Sequence, residues 1–189
     1  MKKILNSSSL TWIYVLLIGI VALTGLDLSL RFSFDSQRNF VFEYPFIDRI
    51  FVKTVLNATL LNAGHAARFD LFLEVLLIHD KEMEHYTQHY GPEPGPTNVL
   101  SFPLLSLDQI LNFSMDIPLP LGTVLLGFPY ITKEIQKYHF DPQAYIARLL
   151  IHGILHLLGY DHVKVKEREV MEALEKNVCT HLGYDWRPL

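Results

Sequence analysis

Apolar and polar positions alternate without a slip from Leu26 to Phe34, and that period of two predicts a strand with one buried face. The period changes after Pro45. Ile47, Ile50, Phe51, Val55, Ala58 and Leu61 share one face of a helix predicted from Ile47 to Asn62, with Gly64 as its stop. Leu71 to Ile78 is nearly continuous apolar sequence of strand length, as expected for a central strand buried on both faces. A short helix with Met83, Tyr86 and Tyr90 follows. In Gly91-Pro92-Glu93-Pro94-Gly95-Pro96 the alternation of proline and glycine excludes helix and strand and predicts a rigid loop. Asn98 to Phe102 reads as a strand, Leu104 to Pro120 as a long variable loop, and Leu121 to Leu126 as another short strand.

Ile131, Glu134, Ile135 and Tyr138 mark a short helix. Asp141 is the N-cap of the next one and Pro142 occupies its first turn, while Ile146, Leu149, Leu150, Leu155 and Leu158 form its buried stripe. Val170, Met171, Leu174, Val178 and Leu182 line a last helix ending at Gly183. Lys164, Lys166, Arg168 and the glutamates around them read mostly as its solvated face. Together these elements predict an α+β domain, a small mixed sheet covered by helices, with the helix after Asp141 at its centre.

That central helix carries the chemistry. His152 and His156, four apart, project from one helix face, one turn above the other. Gly159 suits the left-handed residue just past a helix end, so the chain can double back and bring His162 to the same point. Three neutral imidazoles suit one divalent transition metal, zinc first, on the helix and the loop after it, and leave a fourth position for water. Cys179, His181 and Asp161 are the candidates for closing that position into a structural site. Asp161, beside His162, more naturally orients a ligand than binds the ion. The spacing matches zinc proteases of the H-E-x-x-H-x-x-G-x-x-H type except at Gly153, where a protease carries its glutamate base. Arg148, one turn before His152, either reaches the same mouth to hold a phosphate or pairs with a surface carboxylate.

Read as H-G-x-L-H-L-x-G-Y-D-H, residues 152–162 resemble the signature of the YbeY family. Pro96-Thr97-Asn98-Val99-Leu100-Ser101-Phe102-Pro103 resembles that family's second fixed stretch, and Leu121-Gly122 a third; the likeness runs from about residue 26 to 185. It implies a zinc-dependent, single-strand-specific endoribonuclease in small-subunit rRNA 3′-end maturation and ribosome quality control, with precursor rRNA and the small ribosomal subunit as partners. It also places Asn98 and Ser101 beside the metal cleft, where they contact a nucleotide or satisfy backbone groups near the prolines. Two positions depart from the pattern. Gly91 follows Tyr90 where the family carries an arginine implicated in cleavage, and Thr123 replaces an aspartate. Arg148 or Lys81 would then have to supply the missing charge. Two rival functions remain: an assembly factor with structural zinc and little nuclease activity, and an exported zinc hydrolase acting on peptides.

Composition narrows the setting. The chain has 189 residues, 50% of them hydrophobic, a net charge of −4 and one cysteine, Cys179. Length allows one domain; the mild negative charge excludes a global basic field, so RNA would need a local groove. A lone cysteine has no intrachain disulfide partner, which fits a reducing compartment. Residues 1–25 form a separate extension: Lys2 and Lys3 precede a charge-free apolar run ending at Leu26. It reads as a signal or anchor, or as extra residues from an upstream start codon. Any membrane association runs through residues 10–26; otherwise a cytoplasmic protein is expected.

Overall fold

The computed structural model describes residues 43–65, 71–91, 95–112 and 119–187, and the backbone of 30–33. The N-terminal extension and most of the strand expected from Leu26 lie outside the described residues. In chain order the elements are β1 (Leu30–Ser33), α1 (Arg49–Asn62), β2 (Leu71–Ile78), α2 (Asp80–Tyr90) and β3 (Val99–Pro103). α3 (Leu107–Leu111), β4 (Leu119–Gly127), α4 (Phe128–Tyr138), α5 (Pro142–Leu157) and α6 (Val165–His181) follow. β2 runs parallel to β1 and β4, and β3 pairs antiparallel with β4, giving a mixed sheet in the order β1-β2-β4-β3. The domain is α+β. Among the described residues no helix is long and apolar enough to cross a membrane.

α5 is the centre of the packing, touching α1, α6, β3 and β4. Its start and end are both written locally. Asp141 Oδ1 accepts the Ala144 N–H at 2.8 Å, and Pro142 supplies a first-turn residue that needs no hydrogen bond. At the other end Gly159 adopts φ +88°, the Gly159 N–H donates to the His156 carbonyl and the Tyr160 N–H to the Leu155 carbonyl, both at 3.0 Å. This paired closure ends the helix and reverses the chain. Ile146, Leu149, Leu150, Leu155 and Leu158 are all buried as expected, each contributing about 1.5–3 kcal/mol on full burial.

Five expectations are corrected. In α1, Ile50 is 76% and Leu61 52% exposed, while Val52, Leu56, Thr59 and Leu60 are inside. The buried face is two adjacent i,i+4 rows, 51-55-59 and 52-56-60, because α1 packs against α5 and α6 as well as the sheet edge. β2 is not buried on both faces: Leu71, Leu73, Val75 and Leu77 are inside, whereas Phe72, Glu74 and Leu76 are half-covered. Among the described residues, the far end of that second face is covered by Met83 and Tyr86 of α2 against Ile78, Leu125 and Phe102.

The supposed loop 104–120 contains α3. Ser106 Oγ accepts the Gln109 N–H at 3.3 Å and Gln109 Oε1 accepts the Ser106 N–H at 2.8 Å, a reciprocal cap that seats the buried Ile110. β4 also starts earlier, at Leu119. In α6, Val170 is exposed, and Glu175 and Cys179 take inner positions that pattern alone assigned to apolar neighbours.

Candidate metal centre

The three histidines converge. One ligand atom from each of His152, His156 and His162 lies within 4.8 Å of the other two. His152 Nε2 and His156 Nε2 stand 3.1 Å apart. Two ligands on bonds of about 2.0–2.1 Å at a tetrahedral angle would be about 3.3 Å apart.

The outer ring nitrogens are tied to acceptors. His152 Nδ1 donates to Glu175 Oε1 at 2.7 Å, and His156 Nδ1 donates to the Tyr160 carbonyl at 3.0 Å. A carbonyl and an ionised carboxylate only accept, so both rings carry their proton on Nδ1 when neutral. Both Nε2 lone pairs then face one another, an arrangement that repels unless a cation sits between them. Burial, then the neighbouring His152 and His162, pushes His156 down to about 4, so the ring is neutral at pH 7, the form in which an imidazole can bind a metal.

The ordered loop delivers the third ring. Asp161 Oδ1 accepts the His162 N–H at 2.7 Å, and Arg168 Nε donates to the His162 carbonyl at 3.2 Å. Asp161 thus fixes the backbone that carries a ligand.

Glu175 is the functional residue that sequence reasoning missed. It is 3% exposed, and its second oxygen accepts the Trp186 indole N–H at 3.3 Å. Its signal was a carboxylate falling in the apolar row Met171, Glu175, Val178, but in a helix rich in glutamates it passed for surface. No fourth side chain closes the site among the described residues. Cys179 is buried near Glu175 and Arg148, and His181 is exposed at the end of α6.

Beside the triad lies a recess of about 390 Å³ lined by Ser101, Val99, Pro103, Tyr160 and Asp161 with His152 and His156. Ser101 is therefore in the cleft, and Asn98 is not. Asn98 Nδ2 donates to Glu134 Oε2 at 3.0 Å and approaches the Tyr145 hydroxyl at 3.1 Å, while that hydroxyl donates to Glu134. The three form a clasp between α4, α5 and the start of β3, in which the Asn98 amide nitrogen bonds to two side chains. Arg148 is also elsewhere. It is 6% exposed, lies over the Phe140 and Tyr145 rings, donates to the Arg187 carbonyl and lines a different pocket. Lys81 is exposed in the first turn of α2.

Both departures have local causes. Thr123 Oγ1 donates to Glu74 Oε2 at 2.8 Å across the β2–β4 pair, on the sheet face turned away from α5. A Cβ at Gly91 would stand 2.9 Å from both the Cα and the carbonyl oxygen of Thr87, so the backbone as it lies excludes any side chain there. Gly153 is likewise a packing residue. A Cβ on it would meet Ser101 Oγ at 2.9 Å and both Val124 methyls at 3.1 Å.

The model of the family described as endoribonuclease YbeY matches residues 44–183. A protein of that name from Rhizorhabdus wittichii is 34% identical over 136 residues, 71% of this chain and 78% of its own. One from Pseudomonas putida is 39% identical over 115 residues, covering 61% and 70%, and one from Coxiella burnetii 35% identical over 119, covering 60% and 70%. A solution structure from Thermotoga maritima aligns with 82% of this chain and 91% of its own at 21% identity and a TM-score of 0.45.

Proposed function

This chain belongs to the endoribonuclease YbeY family, and we propose that residues 26–189 form a zinc-dependent endoribonuclease specific for single-stranded RNA. The observation that carries this reading is the convergence of His152, His156 and His162, with the Nδ1 of His152 held by the Glu175 carboxylate and that of His156 by the Tyr160 carbonyl. The donor set fits zinc: three imidazoles, no thiolate, and a recess on one side. When bound there, the ion supplies Lewis acidity and lowers the pKa of a water.

The chain's own residues do the rest. Tyr160 and Glu175 orient two rings, Asp161 holds the loop of the third, and the edge strand β3 brings Ser101 beside the site. From the family we take the substrate as precursor small-subunit rRNA near its 3′ end, with a role in ribosome quality control and a cytoplasmic location. The assembly-factor rival needs a fourth protein ligand to seal the zinc, and the peptidase rival needs a base at 153 where a Cβ meets Val124.

Purified protein incubated with single-stranded and duplex RNA, with and without a chelator, tests the reading. The expected result is metal-dependent cleavage of the single strand that is absent from His156→Ala. Cleavage that survives in that variant, or none by zinc-loaded wild type, would overturn it.

A further inference from the structure

Two recesses open onto the three histidines. The larger runs along β3, and its one charged residue besides the ligands is Asp161. The smaller, about 220 Å³, lies against α6 between His152, His162, Arg168, Met171, Glu172 and Glu175. Arg168 is therefore the one permanent cation lining either recess among the described residues. A strand of RNA carries a negative charge on every phosphate, and this chain has a net charge of −4. A phosphate brought to the triad needs a local counter-charge.

The Arg168 guanidinium is held by its Nε to the His162 carbonyl at 3.2 Å. That tether uses one nitrogen and leaves the two terminal ones, a planar pair that matches two phosphate oxygens. It makes no ion pair within 4.0 Å with Glu172 or Glu175, and Glu175 is committed to His152 and Trp186. The position where the family carries an arginine is closed here, because a side chain at Gly91 would meet the Thr87 backbone. Arg148 lines another pocket.

We propose that Arg168 binds a phosphate of the RNA strand lying against the triad, supplying from α6 the cation that Gly91 lacks. This rests on the endoribonuclease reading above. A lysine ammonium has three donors on one nitrogen but no planar pair to match two phosphate oxygens, so Arg168→Lys keeps the charge and loses the fork.

The test uses zinc-loaded full-length protein and a fluorescent single-stranded 2′-O-methyl oligoribonucleotide, with cleavage of the matching unmodified strand and zinc content measured alongside. Arg168→Gln is expected to bind about tenfold more weakly, as loss of a charged hydrogen bond implies, and to raise KM with little change in kcat. Its dependence of log affinity on log salt is expected to be shallower by about 0.7, one single-strand phosphate contact. Arg168→Lys should recover the salt slope and part of the affinity, with zinc content unchanged in both. Wild-type affinity and slope in Arg168→Gln would overturn the proposal, as would weaker binding accompanied by lost zinc, the mark of a purely structural tether. If wild type neither binds nor cleaves RNA, the endoribonuclease reading itself falls; wild-type cleavage beside an indifferent Arg168→Gln removes this role alone.

Discussion

Glu175 Oε1 lies 2.7 Å from His152 Nδ1, so a residue on α6 sets the orientation of a ligand on α5. Both partners are largely withdrawn from solvent, with side-chain exposures of 15% for His152 and 4% for Glu175, and the bond is little screened by water. Glu175→Gln keeps an acceptor and removes the charge that strengthens the imidazole as a ligand. It is expected to weaken zinc binding about 10- to 100-fold with the fold retained. Competition with a chromophoric chelator measures this, and unchanged affinity would show that packing alone orients the ring.

Gly153→Glu restores the glutamate of the protease pattern at the cost of the fold. A Ser hydroxyl can rotate away from a new Cβ, but the two methyls of the branched Val124, both at 3.1 Å, cannot both turn aside. Overpacking of this kind costs about 1–3 kcal/mol, more than the up to about 1 kcal/mol gained by replacing glycine in a helix. Denaturant unfolding should show net destabilisation, and peptide substrates should remain uncut.

Asn98 and Ser101 should separate cleanly. Asn98→Ala leaves Glu134 and the Tyr145 hydroxyl short of a partner and is expected to cost about 1–3 kcal/mol. RNA affinity per folded molecule should not change. Ser101→Ala, at the cleft, is expected to alter RNA affinity or cleavage with stability within about 0.5 kcal/mol. A variant Asn98→Ala that folds normally and binds RNA poorly would return that residue to the substrate.

Cys179 is sealed in the core, and burial, then the nearby Glu175, pushes its thiol up to about 11. The unfolded chain releases this proton near the ordinary thiol value of 9.0, so between those values the folded protein holds a proton that the unfolded chain has lost. Stability from this group is therefore complete below pH 9 and falls as pH rises above it. A thiol reagent at neutral pH should modify Cys179 only at the rate of unfolding; rapid labelling of native protein would contradict its burial.

The convergence of His152, His156 and His162 was legible because an i,i+4 pair on one helix face followed by a glycine reversal is a local pattern, complete within eleven residues. Helix ends written by Asp141 and Gly159 were legible for the same reason. Glu175, Arg168 and the Asn98–Tyr145–Glu134 clasp depend on which elements meet across the fold, and no period in the chain reports that. Arg148 was misplaced by the same gap: four residues before His152 puts it near that face of the helix, but α5 is enclosed nearly all round, and its neighbours there are Tyr145, Phe140 and the C-terminal segment.

Zinc K-edge absorption on protein loaded with one equivalent of the metal addresses the centre itself. Three imidazoles at about 2.0–2.1 Å and one further light-atom ligand are expected, with two imidazoles remaining in His162→Ala. A sulfur at about 2.3 Å, or a fourth imidazole, would mean that a protein side chain seals the site and would contradict its role in hydrolysis.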